Sequence, residues 1–288
     1  MNEESLMRSR IRKILMICSN YDAFALEEDG RIENQVRSEY RELNLSNPPK
    51  FIWANSSQQA REIVSSETEV DMIICMFNEQ DKGIFPFASE LKEEGRGIPF
   101  VLLIHYSKAV RQRVLKSPRP GVDFVFSWHG NADLILAIVK LLEDAANADN
   151  DVFEVGVKGI LLVEDSIRYY SNYLPELYKI VLTQSREFLK ESLNEDQKKY
   201  RKRSRPKIFL ATCLEEALAY FRKYGRNLLG VISDVGMVVH KGDDPKTEKL
   251  DAGIDLVKVI REYDPLMPVL LQSSQGGLAK VAEELGVG

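Results

Sequence analysis

Short apolar runs alternate along the chain with amphipathic stretches of helical spacing, the pattern of successive strand–helix units on a parallel sheet. In the first half this spacing predicts strands at Lys13 to Cys18, Phe51 to Ala54, Val70 to Phe77, Pro99 to Ile104 and Val122 to Phe126. Helices are predicted at Ile32 to Leu43, Gln58 to Val64, Phe85 to Glu94, Lys108 to Leu115 and Asn131 to Ala145. The last has the clearest apolar face, made by Leu134, Ile135, Ile138, Val139 and Leu142. A polar stretch from Ala145 to Gly156 then breaks the periodicity and reads as a boundary linker.

The pattern restarts beyond it. Strands are predicted at Ile160 to Val163, Ile208 to Ala211, Leu228 to Ser233 and Pro268 to Leu271, and helices at Ile167 to Leu193, Leu214 to Tyr224, Ala252 to Tyr263 and Leu278 to Leu285. KILMI from Lys13 matches GILLV from Gly159 in place and pattern, and IPFVLL from Ile98 matches MPVLL from Met267. Two copies of one α/β fold is the economical account, with domains at residues 1–150 and 156–288. The fold class expected is a tandem of doubly wound, flavodoxin-like parallel-sheet domains, the second stopping at Gly288 before its fifth strand. Pro175 falls inside the first long helix of the second copy, where its missing N–H should kink it.

Size and composition agree with this organisation. The 288 residues suffice for two cores, and 44% hydrophobic with 29% charged residues is ordinary for a globular chain. A net charge of −5 argues against a protein built to neutralise nucleic-acid phosphates. Cys18, Cys75 and Cys213 lie in or beside apolar runs, with no CxxC motif, as buried thiols in a reducing compartment would. With no stretch of membrane-spanning length and no signal-peptide core, the expectation is a soluble cytoplasmic protein with no membrane partner.

Candidate chemistry lies where open parallel sheets hold it, just beyond the carboxyl ends of the strands. The first strand of the second copy ends in Glu164-Asp165, the third in Asp234 and the fourth in Ser273-Ser274. If the first and third strands are neighbours, three carboxylates converge. Such a cluster is costly unless a cation neutralises it, and Mg²⁺ takes carboxylates of this kind.

GILLVEDS from Gly159, VISD ending at Asp234 and PVLLQS ending at Ser273 resemble the three signatures of bacterial response-regulator receiver domains. The resemblance implies that Glu164, Asp165 and Asp234 hold Mg²⁺ with the Gly236 carbonyl, that Asp234 accepts a phosphoryl group, and that Ser273 is the switch hydroxyl. It implies a sensor histidine kinase or phosphotransfer protein as partner, and no enzymatic activity in this chain beyond self-phosphorylation from a phosphodonor. The loop after Asp234 is longer than the family norm and could form a lid. The family's Lys at the end of strand five has no counterpart in the second copy. In the first copy the corresponding positions are Cys18, Ser19, Met76, Ile104 and Trp128, none of which can do the chemistry, so that copy is expected to be a pseudo-receiver.

The two copies together are also similar to the N-terminal receiver-like segment of phosphoenolpyruvate synthase or pyruvate phosphate dikinase-like proteins, notably at EDSIRYYSNYLPELY and LLGVISDV. That similarity implies the alternative of a non-phosphorylated regulatory or interaction module ahead of a C-terminal effector or enzyme region. An Asp-nucleophile phosphatase is disfavoured, because such enzymes carry a second Asp two residues on and Gly236 stands there.

Taken alone, Glu164-Asp165 would read as acids at a helix N-terminus with Ser166 as cap; the three signatures together favour the acceptor site. The run Lys198 to Lys207 holds seven basic residues in ten, but no row of aromatics accompanies it, so a solvated helix extension is expected rather than a nucleic-acid contact. His105, His129 and His240 are too scattered for a metal site or triad, and no P-loop or dinucleotide fingerprint occurs.

Overall fold

A computed structural model describes residues 7–20, 32–42, 45, 47–66, 69–105, 114, 118–190, 205–273, 283 and 285–287. The chain divides into two compact units. The first comprises Arg10–Leu142 with Ser171–Pro175, and the second Glu143–Tyr170 and Glu176–Gly288 with the start of the chain through Ser9.

The first unit has five strands, β1 (Lys13–Ile17), β2 (Lys50–Ala54), β3 (Met72–Met76), β4 (Phe100–His105) and β5 (Phe124–Trp128). They form one wholly parallel sheet in the order β2-β1-β3-β4-β5. This is the doubly wound order of flavodoxin-like folds, whose switch point lies between β1 and β3. Sheets covered on both faces read as continuous apolar runs, and Met72 to Met76 are all buried accordingly. Helices α1 (Ile32–Glu42), α2 (Ser57–Ser65) and α3 (Ile84–Glu93) each turn one apolar stripe inward: Val36 and Tyr40, Ala60 and Val64, and Phe87, Ala88 and Leu91. The helix expected at Lys108 to Leu115 lies outside the described residues apart from Val114.

The second unit repeats the plan with β6 (Gly159–Val163), β7 (Lys207–Ala211), β8 (Leu228–Asp234) and β9 (Val269–Gln272), parallel in the order β7-β6-β8-β9. Helices α5 (Ile167–Lys190), α6 (Leu214–Tyr224) and α7 (Ala252–Tyr263) alternate with them, and α5 runs through Pro175. Leu161, Val163, Phe209, Val231, Leu256 and Ile260 belong to its buried core. Most of the helix expected at Leu278 to Leu285 lies outside the described residues.

The expected linker from Ala145 to Gly156 is not a linker. Helix α4 (Ala132–Asp149) continues through it and passes into a π-helical turn, Asn150–Glu154. Its polar side chains serve the interior: Asp144 and Asp151 are fully buried, and Asn147 almost so. Arg205 places Nη2 2.7 Å from Asp144 Oδ1 and Nη1 2.9 Å from Oδ2. Lys207, also fully buried, lies 2.7 Å from Asp151 and 3.6 Å from Asp144. The last two cations of the basic run are therefore core ion-pair partners and not a solvated extension; residues 198–204 of the run lie outside the described residues. The polar letters looked like a loop because a buried charge and a solvated one are the same residue type until the partner strand is placed.

Candidate phosphoryl-acceptor site

Register decides which side chains meet at the carboxyl end of the second sheet. Val163 pairs with Ser233, so Glu164-Asp165 and Asp234 leave adjacent parallel strands at the same level. A ligand oxygen from each of Glu164, Asp165 and Asp234 lies within 4.8 Å of the others. On the far side of β8, Asp234 pairs with Gln272, which puts Ser273 one residue beyond β9 and exposed at the same edge.

Each carboxylate is held by backbone. Ser166 N–H donates to Glu164 Oε1 at 3.0 Å, Val238 N–H to Asp165 Oδ2 at 3.0 Å, and Val235 N–H to Asp234 Oδ1 at 2.7 Å. Among the described residues no basic side chain forms an ion pair with any of the three. Burial with no countercharge pushes the Glu164 carboxyl up to about 8, with Asp234 and Asp165 adding to it. Burial likewise lifts Asp165 to about 6, aided by Glu248 and Asp234. Asp234 is also raised, first by burial and then by Glu248. Three oxygen donors that repel one another at this spacing suit a hard divalent cation such as Mg²⁺.

A further acid, Glu248, is exposed and stands outside that 4.8 Å group, yet its charge adds to the field at all three carboxylates. It lies in the long loop after β8, fourteen positions from Asp234, and no local motif marks it. The loop folds back on itself through an antiparallel bridge in which Lys249 N–H donates to Met237 O at 2.9 Å and Met237 N–H to Lys249 O at 3.2 Å. Met237 is fully buried. Leu214 and Glu215 N–H donate to the carbonyls of Val238 and Val239, each at 3.1 Å, which fastens the outgoing limb to the start of α6. The expected lid is thus a fastened hairpin.

Two glycines explain how closely these parts approach. A Cβ on Gly253, in the first turn of α7, would lie 2.2 Å from the Asp234 carbonyl oxygen; as glycine its N–H donates to Val235 O at 2.8 Å. A Cβ on Gly236 would lie 2.1 Å from Glu248 Oε1.

Among the described residues, the corresponding end of the first unit has no such cluster. Cys75 pairs with Ile17 and Leu102, so Met76 stands where Asp234 stands, Cys18 where Glu164 does, and Ile104 where Ser273 does. Asp81, whose charge acts on Cys75 at that end, serves structure: its Oδ2 accepts from Ser57 N–H and its Oδ1 from Ser57 O–H, both at 2.6 Å, clamping the start of α2.

No family model and no curated protein matches the chain. The expected similarity to phosphoenolpyruvate synthase or pyruvate phosphate dikinase-like proteins accordingly has no counterpart there. Among solved structures it is similar to a probable two-component system response regulator/GGDEF domain protein, at 17% identity over 96% of this chain and 89% of that one, with a TM-score of 0.36. A putative protein of the same description matches at 16% identity over the same shares, with a TM-score of 0.34. Transcription regulator CcpA of Lactococcus lactis follows at 14% identity over 92% and 79%, with a TM-score of 0.25. Likeness at these TM-scores carries nothing about function. No helix among the described residues is long and apolar enough to cross a membrane.

Proposed function

We propose that the second unit is a receiver-type phosphoryl acceptor in a phosphorelay, with Asp234 as the acceptor. The observation that carries this reading is the convergence of Glu164, Asp165 and Asp234 within 4.8 Å at the carboxyl ends of two neighbouring parallel strands, with no basic side chain paired to them among the described residues.

An Asp234 carboxylate oxygen attacks the phosphorus of a phosphohistidine on a sensor kinase or phosphotransfer protein. The new O–P bond forms as the P–N bond breaks, and the bonding pair leaves with the imidazole nitrogen, which then takes a proton. Glu164, Asp165, Asp234 and the Gly236 carbonyl would hold Mg²⁺, which supplies the positive charge that lets an anionic nucleophile meet an anionic donor. Val235 N–H, shared between Asp234 Oδ1 and the Gln272 carbonyl, orients the Asp234 carboxylate. Ser273, beside Asp234 across the β8–β9 register, would donate its hydroxyl to a phosphoryl oxygen and carry the change along β9. The first unit keeps the scaffold without the acids and serves as a pseudo-receiver.

Incubation of the full chain with Mg²⁺ and a small acyl phosphate tests the reading by intact mass. One phosphoryl adduct is expected in the wild type, none in Asp234→Asn and none with chelator. Absence of any adduct in the wild type would favour a module that acts by non-covalent contact alone.

A further inference from the structure

Fully buried charged atoms without a hydrogen bond are rare, and two of them meet in the second unit. Lys207 Nζ, at the start of β7, lies 2.7 Å from Oδ2 of Asp151 in the π-helical turn Asn150–Glu154, and both side chains are completely shut off from water. Neither atom has a hydrogen-bond partner among the described residues, so the two touch without the alignment that offsets the cost of burying charge. The other Asp151 oxygen is placed differently. Met7 N–H donates to Oδ1 at 3.2 Å and the Asn150 side-chain amide at 2.9 Å. The carboxyl group is thus polarised at one oxygen and bare at the other, with an amine nitrogen against the bare one and Cγ a single bond beyond. Asp144 Oδ1 is 3.6 Å from the same Nζ. Arg205 balances Asp144 with two hydrogen bonds, so the cluster stays neutral if Lys207 and Asp151 lose their charges together.

We propose that Lys207 and Asp151 condense to an isopeptide bond that cross-links β7 to the π-helical turn, with the ion pair as its reactant. A proton passes from the ammonium to Oδ2, which leaves a free amine beside a neutral carboxylic acid. Nζ attacks Cγ, and the negative charge that develops on Oδ1 falls to the two N–H donors already aimed at it, as in an oxyanion hole. The nitrogen becomes strongly acidic once bonded to Cγ; Asp144 takes its proton and passes it to Oδ2. The C–Oδ2 bond breaks as the carbonyl reforms, and Oδ2 departs as water. Ammonium and carboxylate have become an amide and one water, with no oxidant or co-reactant. Two buried charges are replaced by a neutral group, which removes their desolvation cost from the core.

Intact mass of the purified full chain, denatured before measurement, tests the proposal. The wild type is expected to weigh one water less than its sequence, and trypsin should leave the bond after Lys207 uncut and yield one branched peptide joining residues 151 and 207. Asp151→Ala and Lys207→Arg should keep their full masses. Asp151→Asn should shed ammonia instead and finish at the mass of the cross-linked wild type. Because the wild type alone decides the matter, a variant that fails to fold does not shelter the proposal. A wild-type chain at its full sequence mass would overturn it, as would a lost water whose digest holds linear peptides across both positions.

Discussion

Arg205 grips Asp144 with two parallel hydrogen bonds of 2.7 and 2.9 Å, and both side chains are almost completely shut off from water. Tyr178 O–H and Ile208 N–H donate to the same carboxylate at 2.9 and 3.1 Å. The pair thereby ties the end of α4 to the edge strand β7 and to α5, at the opposite end of the sheet from the acids.

Breaking this pair from one side strands the other charge in the core. Arg205→Met is expected to cost about 3–5 kcal/mol in denaturant unfolding of the full chain. The double variant Asp144→Leu, Arg205→Met should recover much of that loss. A single variant within about 0.5 kcal/mol of wild type would show that the pair contributes little.

The same carboxylate fixes an acid limit. Burial alone would raise Asp144, but Arg205 and Lys207 outweigh it and hold the carboxyl below its usual range. A carboxylate with a lowered folded-state pKa stabilises above its unfolded value of about 4 and loses that contribution as pH falls through the folded value. Unfolding free energy measured below about pH 4 should therefore fall more steeply in the wild type than in Asp144→Asn. Parallel acid limbs in the two proteins would contradict this.

Gly253 and Asp234 are in backbone contact across the start of α7, so Gly253→Ala must move one of them. The expectation is a loss of about 1–3 kcal/mol together with weakened phosphoryl acceptance. Gly97→Ala is the control, because a Cβ there meets nothing within 4 Å. Equal behaviour of the two variants would mean that α7 does not position the acceptor.

The periodicity of the chain revealed the β1 to β9 scaffold because a sheet covered on both faces must be written in continuous apolar runs, as at Met72 to Met76. Glu164, Asp165 and Asp234 were legible for the same reason: each ends such a run, and strand ends converge once the strand order is known. Glu248 was not, since its place depends on a hairpin closed by main-chain bonds between Met237 and Lys249 that no side-chain pattern encodes. The helical residues from Ala145 to Glu154 read as linker because Asn147 and Asp151 find partners on distant segments: Lys207 and the backbone of Met7 and Ser9.

Cation binding should appear as stability. At free Mg²⁺ a hundredfold above its dissociation constant, linkage predicts about 2.7 kcal/mol for the unit that holds the site. Thermal unfolding of the full chain with and without Mg²⁺ should show that gain in the wild type and lose it in Asp165→Asn. An equal gain in both would place the ion elsewhere.

The central claim is that the phosphoryl group resides on Asp234, and an acyl phosphate is marked out by its chemistry. Borohydride reduction of the phosphorylated full chain converts the carboxyl that carries phosphate to an alcohol, turning that aspartate into homoserine. Peptide mass spectrometry is predicted to find homoserine at position 234 and at no other acid, only when Mg²⁺ and donor were both present. Homoserine at another position, or phosphate that survives on Ser273 with position 234 unchanged, would contradict the account.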